Sequence, residues 1–311
     1  MKILVIGGCG FIGSHLVDRL ILDGHQISIY DNLSVGKLDF VKQAMTSGLV
    51  SIHVGDTLDL NKLNSVMPGH DVVFHLSANP EARNGLKNTK LDLEQGTIST
   101  YNVLESMRLS GVKNIIFSSS GTVYGNVKKN CEESDLGSLP ISLYGASKLA
   151  SEALIASFVE CFDLNAKILR FGNIVGSRAT HGVILDFFKK LKEHPEYLDV
   201  LGDGYQTKPY VHVSDCVEGL NFVLNKESKN LDIFNLSPMN FTSVRTIASL
   251  CVKATSSNSR IEYSGTSKGW PGDVTVSNLC PDKLYNFGFR VRYTSNQAVD
   301  LAVKEVYKEI F

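Results

Sequence analysis

The sequence predicts an α/β fold: a doubly wound parallel sheet with helices on both faces, followed by a smaller C-terminal α/β lobe. Three observations carry that expectation. Short apolar runs alternate with helix-period segments over the first half of the chain. A cluster of glycines separates the first run from the first helix. After Gly172 the rhythm loosens into shorter pieces broken by Gly and Pro.

Taken in order, Ile3 to Ile6 is a continuous apolar run, as expected of a strand buried on both faces. Phe11, Ile12, Leu16, Leu20 and Ile21 then fall near helical spacing, and Gly24 closes that helix. Gln26 to Tyr30 reads as the second strand, Val50 to Val54 as the third and Asp71 to Leu76 as the fourth, with a short helix over Leu58 to Met67. Thr97 to Leu109 is helical and capped by Gly111, Val112 to Ser118 is a strand, Ser142 to Phe162 is a long helix, and Ala166 to Arg170 is a further strand. Beyond that point a helix over Val183–Lys192 and strands at Val211–Val213 and Ile233–Leu236 are expected. The division implied is residues 1–170 plus about 209–236 as one domain, with about 171–208 plus 237–311 as the smaller lobe.

The bulk numbers exclude several classes. Hydrophobic residues make up 43% of the 311 and charged residues 20%, ordinary values for a globular protein. A formal net charge of -1 argues against a general nucleic-acid-binding surface. No run approaches the roughly 20 apolar residues of a membrane helix. The N-terminus runs straight into the glycines without a signal-like stretch, so a cytoplasmic protein is expected. The six cysteines lack metal-knuckle or redox spacing and read as dispersed free thiols, mostly in the core. No metal site is expected.

Gly7-Gly8-Cys9-Gly10-Phe11-Ile12-Gly13 sits between a strand and a helix. There the glycines permit a tight turn, and the helix N-terminus favours a pyrophosphate, which makes the expected fold Rossmann-type. Gly7, Gly10, Phe11, Ile12 and Gly13 are the candidate phosphate-loop contacts. Asp31 ends the second strand, at the usual distance of about 20 residues beyond the loop. A carboxylate there accepts from both ribose hydroxyls and repels a 2′-phosphate, so NAD is favoured over NADP. A plain turn at Asp31-Asn32 is the alternative. Asp56, after the third strand, is a further candidate at the adenine end.

Tyr144 and Lys148 are four apart on a helix and so share a face. A lysine ammonium and a positive nicotinamide ring favour the phenolate of a tyrosine that is otherwise a poor base. Such a group takes a proton from a sugar hydroxyl while hydride leaves the same carbon. The serines Ser118, Ser119 and Ser120 lie directly after a strand, where catalytic groups of a parallel sheet collect.

Together these residues resemble the extended short-chain dehydrogenase/reductase family, in particular the UDP-glucose (UDP-galactose) 4-epimerases. The matching stretches are Gly7–Gly13, Tyr30–Leu33, Phe74–Ala78, Ser118–Gly125, Tyr144–Lys148, Arg170–Asn173 and Tyr210–Asp215, in the expected order. Gly269–Val274 looks closest to archaeal-type members. The resemblance implies Tyr144 as base, Lys148 as its partner and Ser120 as the catalytic serine. It adds Asn32, Leu76, Ala78 and Ser118 to the NAD contacts. It places Asn173 and Lys208 at the substrate diphosphate, Asp273 at the uridine ribose and Ser277 in the sugar pocket, where a small side chain admits an N-acetyl group. It also implies a UDP-sugar as substrate and a homodimer formed through the two long helices.

Two positions depart from the family. Trp270 stands where many relatives place an arginine, with Arg245 and Lys268 as candidate substitutes, and Gly96 stands where an asparagine is usual. Alternatives remain within the fold. A sugar-nucleotide dehydratase needs an acid pair right after the catalytic Ser/Thr, where Gly121 and Thr122 stand. A glucuronic-acid decarboxylase is expected to carry a glutamate in that turn. A non-catalytic NAD-binding regulator typically loses the tyrosine or the lysine, and both are kept.

Overall fold

The computed structural model of the chain describes all residues except 128, 136, 137, 228, 229, 256 and 257. The first strands and helices are β1 (Lys2–Ile6), α1 (Phe11–Leu22), β2 (Gln26–Asp31), α2 (Lys42–Met45), β3 (Val50–Val54), α3 (Leu60–Val66), β4 (Val72–His75), α4 (Ser99–Ser110), β5 (Asn114–Ser120), α5 (Leu143–Phe162) and β6 (Asn165–Phe171). A seven-stranded sheet runs in the order Leu231–Leu236, β6, β5, β4, β1, β2, β3. The pairs β1–β2, β1–β4, β2–β3 and β4–β5 are parallel. The strand order turns back on either side of β1, so the carboxyl ends of β1 and β4 open the crevice in which such sheets bind ligands. The expected fold class is therefore the observed one.

The chain divides into two compact units. The first comprises Met1–Ser120, Leu143–Arg170 and Val217–Phe234, and the second Gly121–Ser142, Phe171–Cys216 and Asn235–Phe311. The core of the first unit joins sheet residues Leu4, Ile6, Val73, Ile115 and Phe117 to Val103 and Met107 of α4 and Ile155 of α5, each at most 2% exposed. The second unit has its own core, in which Phe187 and Phe188 of the helix Val183–Glu193 meet Ile247, Ala248, Ala302 and Val306.

Several boundaries move for local reasons. Asp59 accepts the Lys62 amide and so starts α3 at Leu60 rather than Leu58. Val213 begins a helix instead of ending a strand, because the strand is Tyr210–His212, paired with Asn173–Val175. That pairing places 209–216 in the second unit, as does the packing of 121–142, where Cys131 bridges to Leu279 and the Tyr124 hydroxyl donates to Asn235. Ahead of α4, Leu93–Ile98 forms a π-helical turn. Among the described residues no helix is long and apolar enough to cross a membrane, and no cluster has a metal-ligand set. All six cysteines are free, with Cys9, Cys131, Cys216 and Cys251 buried.

Candidate active site

The glycine loop is closed by contacts that leave no room for side chains. Gly7 has φ +82°, and its carbonyl accepts the Gly10 amide at 3.1 Å. A Cβ on Gly13 would stand 2.1 Å from the Gly7 carbonyl oxygen, and one on Gly7 would stand 2.8 Å from the Ser77 amide nitrogen. Gly10 is the N-cap of α1 without a side-chain cap, so the positive end of the helix dipole faces the loop and favours an anion there. The close approach to Ser77 brings Leu76 beside the loop, with Ala78 two residues on.

Asp31 is 8% exposed, and its two oxygens accept the Cys9 and Leu33 amides at 2.9 and 2.8 Å. Burial raises its pKa, and the two amides oppose that shift. Each oxygen keeps a second lone pair for a ribose hydroxyl. The Asn32 amide donates to Asp56 at 2.8 Å, so Asp31, Asn32 and Asp56 form one cluster at the carboxyl ends of β2 and β3. The residues thus fit a dinucleotide: a cradle that any Cβ would fill, and a carboxylate at the ribose distance.

At the end of β5 the serines take separate tasks. Ser118 donates to the His75 carbonyl at 3.2 Å, and its own carbonyl accepts Lys148 Nζ at 2.7 Å. Ser119 donates to Glu152 at 2.5 Å, while Glu152 forms a two-point pair with the buried guanidinium of Arg170 at 3.0 and 2.7 Å. Ser120 is hydrogen-bonded to Tyr144, so the three expected catalytic groups Ser120, Tyr144 and Lys148 share one end of the sheet.

Lys148 is 3% exposed, lies 4.7 Å from the Phe117 ring centre and 5.9 Å from that of Tyr144. Burial lowers its pKa to about 8, against the pull of Glu152 and Asp92. Burial pushes Tyr144 up to about 12, reinforced by Asp92, while the Ser120 hydrogen bond works the other way. The lowering expected from Lys148 is not present in the chain by itself. The ammonium is directed to the Ser118 carbonyl, and the desolvation of the phenol dominates.

In the second unit Lys208 and Asp273 form a direct ion pair at 2.8 Å, and Asp273 also accepts the Gly269 amide at 3.2 Å. The exposed Asn173 pairs with Tyr210, two residues beyond Lys208. Ser277 adjoins Val276, which bridges to Thr207, and its hydroxyl would lie 3.1 Å from a Cβ on Gly121. The four expected substrate residues are therefore gathered in one region. Arg245 is placed elsewhere than beside Asp273: its guanidinium lies over the rings of Tyr205 and Tyr263 at 4.5 and 4.2 Å and donates to the Asp203 carbonyl. The Lys268 carbonyl accepts the Thr266 hydroxyl.

Sequence reasoning missed Asp92 and Asn79. Both are buried, and the Asn79 amide donates to Asp92 Oδ1 at 2.9 Å. A lone acid between Leu91 and Leu93 was the available signal, and it reads equally well as a solvated residue.

A twisted parallel sheet with a glycine loop, a ribose-distance acid and a Ser–Tyr–Lys group defines the nucleotide-cofactor enzymes of the short-chain dehydrogenase/reductase type. The chain belongs to the NAD dependent epimerase/dehydratase family, whose profile matches residues 3–237. It is 32% identical over 295 residues to the UDP-N-acetyl-alpha-D-glucosaminuronate decarboxylase of Bacillus cytotoxicus, covering 90% of this chain and 89% of that protein. A solved UDP-galactose 4-epimerase is 33% identical, with a TM-score of 0.90 and 100% of both chains covered. The UDP-glucose 4-epimerase of Thermus thermophilus, solved as a complex with NAD, is 28% identical with a TM-score of 0.87, covering 98% of this chain and 99% of that one.

Proposed function

We propose that the chain is a 4-epimerase of UDP-sugars, interconverting gluco and galacto configurations through a transient 4-keto sugar. The observation that carries the reading is the Ser120–Tyr144 hydrogen bond, one helical turn from buried Lys148 at the carboxyl end of β5. Gly7, Gly10, Phe11, Ile12 and Gly13 would hold the cofactor diphosphate. Asp31, Asn32 and Asp56 would hold its adenosine, and Leu76, Ala78, Ser118, Tyr144 and Lys148 the remainder. NAD bound there supplies a hydride acceptor that is restored within each turnover.

The chain's own residues handle the proton. Tyr144 takes it from the sugar 4-hydroxyl and returns it, with Ser120 sharing the hydrogen bond. Because Tyr144 stands at about 12 in the chain alone, it becomes a base only where positive charge beyond Lys148 is added, as an oxidised nicotinamide adds it. Lys208 and Asn173 would bind the substrate diphosphate and Asp273 the uridine ribose, with the Lys208–Asp273 pair exchanging partners on binding. We also propose a homodimer through α4 and α5, whose unit exposes Ile98, Tyr101, Leu109 and Phe162 at 39%, 44%, 57% and 41%.

The decarboxylase relative supplies a second reading. The absence of a carboxylate in Gly121-Thr122, directly after Ser120, favours the first. Proton NMR of the protein with UDP-glucose, UDP-N-acetylglucosamine and the N-acetylglucosaminuronate analogue separates them. A growing galacto anomeric signal from the first two supports the epimerase. Carbon dioxide released from the third alone supports the decarboxylase. Ser277→Tyr is expected to abolish N-acetyl turnover and spare UDP-glucose, and equal loss of both would remove Ser277 from the sugar pocket.

A further inference from the structure

The first unit buries two cations and two carboxylates close together around the end of β5. Arg170 and Glu152 satisfy each other directly, and Ser119 takes a further lone pair of Glu152. Lys148 and Asp92 remain. Among the described residues the Lys148 ammonium donates to a neutral oxygen, the Ser118 carbonyl. Asp92 is 2% exposed, Asn79 satisfies its Oδ1, and its Oδ2 has no hydrogen-bond partner among the described residues. Gly85 closes over that second oxygen, where a Cβ would stand 2.3 Å from Oδ2 and 3.6 Å from Leu143 Cβ. That sets the carboxyl against the first turn of α5, the helix of Tyr144 and Lys148. A carboxylate left half-satisfied in a dry site is costly unless an opposite charge compensates it.

We propose that Asp92 is a positioning residue, the buried counter-charge that holds Lys148 as an ammonium beside Tyr144 and thereby sets the pH range over which the pair works. Charged or titratable groups stand on each element around it, and Lys87 and Lys90 lie just ahead of it in the chain. Tyr144, Lys148 and Glu152 lie on α5, and His75 ends β4. Glu81 and Arg83 pair with each other on the turn that Asn79 braces, and Glu94 follows on Asp92's own segment. Glu152 pulls on Lys148 more strongly, but its oxygens are taken up by Arg170 and Ser119, so Asp92 is the carboxylate left to answer Lys148. Burial raises the Asp92 pKa, and Asn79 and Lys148 oppose that shift. The negative charge has two consequences of the same sign. It favours the protonated forms of both Lys148 and Tyr144, so the phenol stays neutral until positive charge arrives with the cofactor.

The inference rests on the proposed Tyr144 chemistry, and the test keeps the two apart. Asp92→Asn preserves shape and removes the charge. The kcat–pH profile of the wild type and of this variant is measured on UDP-glucose with saturating NAD. Both limbs are expected to move to lower pH by roughly one unit, the scale of a nearby buried charge. A lower amplitude with both limbs unmoved would reduce Asp92 to a structural brace and overturn the proposal. Should Asp92→Asn fail to fold, Asn79→Leu strips the carboxyl of its hydrogen bond, drives it towards its neutral form and is expected to move the limbs in the same direction. If the wild type turns over no UDP-sugar, the epimerase reading fails first. The tyrosinate absorbance that Tyr144→Phe removes then carries the test, since its midpoint falls in Asp92→Asn if the proposal holds and stays in place if it does not.

Discussion

His75 ends β4 with no exposed surface, and its Nε2 lies 3.0 Å from the Thr100 hydroxyl while Nδ1 faces Ser77 at 3.4 Å. Burial, helped by the Lys148 charge, lowers its pKa from 6.5 to about 3. The folded chain therefore keeps a neutral imidazole over a range in which the unfolded chain binds a proton. Stability contributed by this group is complete above pH 6.5 and falls as pH drops from 6.5 towards about 3, by about 1.4 kcal/mol per unit. Urea unfolding at pH 7 and pH 4.5 is expected to show the loss, and His75→Gln is expected to have a flatter pH dependence. Equal slopes would mean that His75 is not buried neutral. A histidine in Phe74-His75-Leu76 was visible in the sequence as part of the family stretch. Its neutrality was not, because that depends on Thr100 and Lys148, far along the chain.

At the scale of elements, the π-helical turn Leu93–Ile98 explains the departure at Gly96. A Cβ there would stand 2.6 Å from Ser147 Oγ and 2.8 Å from Ser147 Cβ, so the turn packs backbone against α5 at the position where the resemblance implies an asparagine. The Gly96 carbonyl accepts the Thr100 hydroxyl at 2.8 Å, which ties the turn to α4. Gly96→Ala is expected to lower unfolding stability by about 1–3 kcal/mol through overpacking. Ser147→Gly in the same chain is expected to recover part of that loss, and strict additivity of the two would contradict the contact. The sequence marked Gly96 as unusual but left it without a partner. Period counting locates helices, whereas the contact between two helices depends on their relative placement.

At the scale of the molecule, the first unit was the more legible because its central strands, such as Lys2–Ile6 and Val72–His75, are short buried apolar runs and helices with recognisable ends join them. The second unit was less so. Its strands are as short as Thr207–Lys208 and Thr242–Ser243, too brief for any periodicity. The Lys208–Asp273 pair spans 65 residues, so motif matching named both members without revealing that they neutralise each other. A 4-epimerase of the proposed kind takes hydride from C4 and returns it to the same carbon. The direct measurement is incubation of UDP-[4-²H]glucose with the protein and NAD in ordinary water, followed by NMR of the products. Hydride return predicts UDP-galactose that retains deuterium at C4. Deuterium lost to solvent, or no galacto product at all, would contradict it.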